Sequence, residues 1–105
     1  MQIEELINKI YSITDDLYKE NINIYKEIVQ IIPSISNYYQ KFIGLIPQLA
    51  NIGIDINTDD VVKQLKTVLY AVEKKDKLLL YDAFKYEIVD TLCFYKEILD
   101  IMKSK

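Results

Sequence analysis

Asp55, Asn57 and Asp59 stand at alternate positions, with Ile56 and Thr58 between them, in the first, third and fifth places of a calcium-loop pattern. Oxygen ligands at that spacing could wrap a hard cation. The rest of the pattern is missing. The sixth place needs glycine for its sharp turn and holds Asp60; the twelfth needs a bidentate glutamate and holds Lys66. The same residues suit the opening of a helix, with Asn57 or Thr58 as N-cap and Asp59 and Asp60 in a first turn whose dipole favours acids. Capping is the expected role, and no metal is expected.

Paired acids recur at Glu4-Glu5, Asp15-Asp16 and Asp59-Asp60. Carboxylates on facing helices can build a two-metal centre, but that design supplies a histidine three residues after a glutamate. This chain has no histidine. Neighbouring acids on a helix also point about a hundred degrees apart, so solvated faces are the expected reading.

The missing histidine removes the one side chain that titrates near neutrality, and with it the usual general base and the Ser-His and Cys-His dyads. Arginine is absent too, which removes the bidentate phosphate fork and the commonest major-groove contact to guanine. A net charge of −3 without a long run of either sign is a poor phosphate footprint, so nucleic acid is not an expected partner. Cys93 is the single cysteine; it has no disulfide mate in the chain and no cation-rich setting to lower its pKa, and is expected to be a small buried hydrophobe. Neither a catalytic residue nor a cofactor is expected.

Nine tyrosines and three phenylalanines are the distinctive chemical feature. Tyr11, Tyr18 and Tyr25 fall at heptad intervals, Tyr38, Tyr39 and Phe42 cluster, and Tyr70, Tyr81, Tyr86, Phe94 and Tyr95 populate the C-terminal part. Packing in and around a core accounts for most such rings. Tyr81 and Tyr86, with the apolar Val89, fall away from the apolar stripe of their helix and are the candidate partner-binding residues. Asp82 and Glu87 are expected to be solvated or paired by neighbouring lysines.

Elements that could position these residues follow from periodicity. Ile3, Ile10, Leu17, Ile24 and Ile31 recur every seven residues, with Leu6, Ile7, Ile13 and Ile28 filling the adjacent helical places. The polar stretch Lys19–Asn23 predicts a break, giving a first helix of about 3–20 and a second of 22–50. Pro33 should kink or split that second helix, because proline lacks an N–H and disfavours helix at the residue before it. Asn51–Asn57 reads as a loop. A third helix over 58–74 carries Val61, Val62, Leu65, Val68, Leu69 and Val72 on one face. Asp76 caps a fourth, 76–103, with Leu80, Phe84, Ile88, Leu92, Tyr95, Leu99 and Met102 in a stripe. The spacing predicts one all-α domain, an antiparallel four-helix bundle with short connections. No apolar run approaches the ~18 residues of a membrane span. The acidic start MQIEELINKI lacks a signal peptide's positive charge, so the cytoplasm is the expected location.

Across the last turn, Asp76, Asp82, Tyr86 and Glu87 resemble the final hairpin of a family of small helical bacterial proteins of unknown function. In those proteins an Asp-capped turn leads to an apolar run, an Asp and a Tyr-Glu pair. Asp90 stands where that pattern has a proline. The resemblance covers residues 71–88 and implies an all-helical fold and a loose association with motility and secretion. The expected function is a non-enzymatic, cytoplasmic protein-interaction module, such as a chaperone or adaptor that holds an amphipathic partner helix. The alternative is a structural protein that self-associates through its first helix.

Overall fold

The computed structural model describes residues 1–19 and 23–103. Among the described residues there are four helices and no strand. Helix α1 is Ile3–Asp16, α2 is Ile24–Asn51 and α3 is Thr58–Lys74. Helix α4 runs without interruption over 77–103, as α-helical Lys77–Asp82, π-helical Ala83–Ile88 and α-helical Val89–Lys103. Each helix packs on the next in sequence, and α4 closes the bundle against α1. The 28 residues of α2 span about 42 Å at 1.5 Å per residue, nearly the full 46 Å length of the molecule.

The heptad isoleucines do what their spacing predicts. Leu6, Ile10, Ile13 and Leu17 of the first segment and Ile24, Ile28, Ile31 and Ile35 of the second are all buried in one core. That core continues through Tyr39, Phe42, Ile46 and Leu49 to Leu80, Phe84, Ile88, Leu92 and Ile98. The break between the first two helices is present, with α1 ending at Asp16 and α2 beginning at Ile24. The expected boundaries at Glu20 and Ile22 lie outside the described residues.

Helix ends are set by local chemistry. Asn57 Oδ1 accepts from the Asp59 N–H at 2.9 Å and the Asp60 N–H at 3.3 Å, so Asn57 caps α3 rather than ligating a cation. Asp76 Oδ1 accepts from the Leu79 N–H at 3.0 Å and opens α4. Both α2 and α3 end in Schellman turns: the Ile54 N–H reaches the Leu49 carbonyl past Gly53, and the Asp76 N–H reaches the Ala71 carbonyl past Lys75. Gly53 has φ 87°, the left-handed region where glycine carries no Cβ penalty. Lys75 adopts φ 52° with a full side chain.

Two expectations need correction. Of the two outcomes expected at Pro33, a kink or a split, the split does not occur, since α2 remains helical through both Pro33 and Pro47. Each proline deprives the carbonyl four residues back of its donor, but Pro33 and Val29 are both exposed, where water can serve the freed Val29 oxygen. In α4 the stripe does not run on to Met102. Met102 is exposed and Leu99 half-buried, whereas Val89 and Ile98 join the core. The π segment causes this: the Val89 N–H bonds the Phe84 carbonyl, five residues back instead of four, and the extra residue turns everything beyond it by about 100°.

Candidate functional site

Tyr81 and Tyr86 flank the start of the π segment, and Lys85 ties them together. Lys85 Nζ donates to the Tyr81 hydroxyl at 2.8 Å and lies 5.7 Å from the centre of the Tyr86 ring. The hydrogen bond that Lys85 donates to Tyr81 is the main reason its ammonium is held above its ordinary range. Tyr81 is half-buried, its ring 5.8 Å from that of Tyr18, in the turn just after α1. Tyr86 is exposed. Val89, the third candidate residue, is 2% exposed and can meet no partner. Straight α-helical spacing had set it outside, and the π turn brings it in. The surface feature is therefore Tyr18, Tyr81, Lys85 and Tyr86, already partly satisfied by its own contacts.

A second surface lies between α2 and α3. The third helix carries a wider apolar arc than its core contact uses. Val61, Val68 and Ala71 are buried, Val62, Leu65 and Val72 are half-buried, and Leu69 is 52% exposed. Leu65, Val68 and Leu69 face Ile32, Ile35 and Ser36 of α2 across an apolar notch of about 60 Å³. Val29, three residues before Ile32 on α2, is 54% exposed. A notch of this size admits the tip of one branched side chain, as a helical knob enters a hole. Leu69, expected on the packed face of its helix, is exposed, as Met102 is on α4. The signal was present as an apolar arc too broad for a single packing face.

A buried hydroxyl that the sequence did not mark joins three of the helices. Tyr39, on α2, is fully buried, and its hydroxyl donates to Gln64 Oε1 of α3 at 2.6 Å. Thr91 Oγ1 of α4 donates to the same oxygen at 2.7 Å. Burial pushes ionisation of the Tyr39 hydroxyl far above the usual tyrosine range; the Thr91 hydrogen bond opposes this, and the Glu87 charge adds to it. The trio pins three helices in register. It lies beside an open hollow of about 320 Å³ lined in part by Asp55, Asp60 and Asp90.

The remaining candidates are ordinary surface. Cys93 is half-buried rather than buried, and burial raises its thiol pKa, followed by the charges of Asp90 and Glu97, so the thiolate is disfavoured. Beside it Lys96 pairs with Glu4 at 3.0 Å across the α1–α4 groove. Among the described residues no group of three or more acidic or cysteine side chains is placed to hold a metal ion. No described helix is long and apolar enough to cross a membrane. The first-helix stripe packs inside the bundle, Ile10 and Leu17 being 0% exposed, while Tyr11 is exposed on the same helix. No protein-family model, curated protein or solved structure matches the chain.

Proposed function

We propose that the chain is a non-enzymatic, cytoplasmic protein-interaction module, a chaperone or adaptor whose α2–α3 notch receives an apolar side chain from an amphipathic partner helix. The observation that carries this reading is the exposure of Leu69 at a hole framed by Ile32, Leu65 and Val68. A chain without histidine or arginine supports it from the chemical side, because the usual proton shuttle and phosphate clamp have no residues to build them.

The test is capture from the native cytoplasm by the tagged wild-type chain and by Leu69→Glu. The charge sits at an exposed position and should leave folding intact. A helical partner held by the notch is recovered by wild type and lost with the variant. Identical recoveries by the two forms would refute the notch as the binding site.

A further inference from the structure

The part of α4 beyond the π segment, Val89–Lys103, is held at few points. Its buried residues Val89, Leu92, Tyr95 and Ile98 recur every three residues, so the packed side winds around the helix instead of keeping to one face. Open hollows flank it on both sides. Towards α1, one of about 370 Å³ reaches Ile7, Asn8 and Cys93, and another of about 330 Å³ reaches Ile3, Leu99 and Lys103. On the opposite flank, the hollow of about 320 Å³ reaches Asp90, Thr91 and Phe94. The last turn adds little to the core, with Ile101 61% and Met102 48% exposed. Beyond the four buried residues, the fastenings are the Phe94 ring on Phe42 at 6.0 Å, the Thr91 hydroxyl on Gln64 and the Lys96–Glu4 pair.

We infer that Val89–Lys103 is a strap that opens as one unit about the π segment, while Lys77–Asp82 stays docked on the rest of the bundle. Sharp bends in helices fall at π turns, because the hydrogen-bond ladder changes step there and no longer ties the two sides into one rod. Segments with few buried contacts open at a lower free energy than the whole protein unfolds. Closed, the strap sets Tyr95 5.7 Å from the Phe42 ring and 6.3 Å from the Tyr38 ring, and Phe42 is 2% exposed. Open, it uncovers Tyr38 and Phe42 of α2 and Ile7 of α1. The α2–α3 notch is lined without any strap residue, so the strap moves independently of it.

The test is native-state hydrogen exchange on the full chain over a series of low denaturant concentrations, for wild type and Val68→Ala. In wild type the amides of 93–100 should share one opening with one denaturant dependence, at least about tenfold less protected than those of 28–42. The amides of 80–82 should follow 28–42. Val68 packs between α2 and α3, contacts that survive opening of the strap. Val68→Ala should therefore speed exchange at 28–42 by about tenfold and leave 93–100 unchanged. Val72→Ala, half-buried on the same helix, makes the same comparison should Val68→Ala not fold. Protection that rises steadily inwards from Lys103 is simple fraying, and acceleration of 93–100 by the α3 variant is global unfolding. Either result, or a boundary away from the π segment, would overturn the proposal.

Discussion

The Tyr39 hydroxyl and Gln64 Oε1, on α2 and α3, meet at 2.6 Å inside the bundle, and the Thr91 hydroxyl of α4 shares the same acceptor. One amide oxygen thus serves two hydroxyls. Replacing the acceptor is therefore worse than replacing either donor. Tyr39→Phe should cost about 1 kcal/mol, and Gln64→Leu roughly 1–3 kcal/mol because it strands both hydroxyls. The triple change Tyr39→Phe/Gln64→Leu/Thr91→Val should be less destabilising than Gln64→Leu alone. Urea unfolding measures all three, and additive losses would show that the trio does not act as a unit.

Alkaline pH tests the same hydroxyl. Burial raises its ionisation in the folded chain above the ordinary value near 10, whereas the unfolded chain ionises there. Below that pH the hydroxyl is neutral in both states and its contribution is complete. As pH climbs past 10 the unfolded state loses its proton first, so stability falls and continues to fall until the folded pKa is reached. Melting temperature should decline between pH 9.5 and 11.5, on the order of the range where tyrosine titrates, and Tyr39→Phe should flatten the decline. Equal slopes in the two proteins would place the titration elsewhere.

Where sequence and structure diverge, the reason is usually a broken period. The first two segments were legible because Ile3 through Ile31 keep a strict interval of seven, and Ile10, Leu17, Ile24 and Ile31 of that stripe are buried in the core. The caps at Asn57 and Asp76 were legible because capping is local chemistry. Val89 and Met102 were misplaced because both were projected along an ideal 3.6-residue helix, and nothing in Ala83–Ile88 announces a π turn. The Tyr39–Gln64 pair, 25 residues apart, belongs to tertiary packing and has no signature along the chain. Leu69 was visible as apolar but not as exposed, since an apolar arc shows which residues are available to a core and not how many of them it takes.

The π segment makes a sharp prediction about deletions. Removing one residue from it leaves the buried residues of α4 at intervals of three and four, the register of a plain α-helix, so deletion of exposed Lys85 should preserve both halves of the core. The shortened chain should melt within a few degrees of wild type. Deleting exposed Lys66 from α3 should instead swing Val68 and Ala71 out of the core by about 100° and unfold the protein, each buried side chain exposed costing about 1.5–3 kcal/mol. Comparable melting of the two deletants would show that the π turn is not an inserted residue.

Lys75 holds a left-handed φ of 52° at the turn into α4, the role Gly53 fills at the end of α2. A side chain in that region costs roughly 1–2 kcal/mol relative to glycine, partly offset by glycine's greater freedom in the unfolded chain and by the Lys75 ammonium lying 5.9 Å from the Tyr25 ring. Lys75→Gly should therefore stabilise by about 0.5 kcal/mol, and Gly53→Ala should destabilise by about 1 kcal/mol. Chemical denaturation of the pair checks the sign, and a Lys75→Gly variant less stable than wild type would contradict the strain argument.

Pro33 interrupts the hydrogen bonding of α2 where its ring and Val29 both face water. The helix survives there through the burial of Ile28, Ile31 and Ile35 on its other side. Pro33→Ala restores a donor for the Val29 carbonyl and removes the ring's clash with it; interior proline costs about 3 kcal/mol relative to alanine, reduced here by what water and proline's stiffer unfolded chain already supply. A gain of about 1–2 kcal/mol is expected. Amide exchange at residues 31–35 should slow in step with global stability. If exchange slows while stability is unchanged, local hydrogen bonding at the proline does not limit the strength of the bundle.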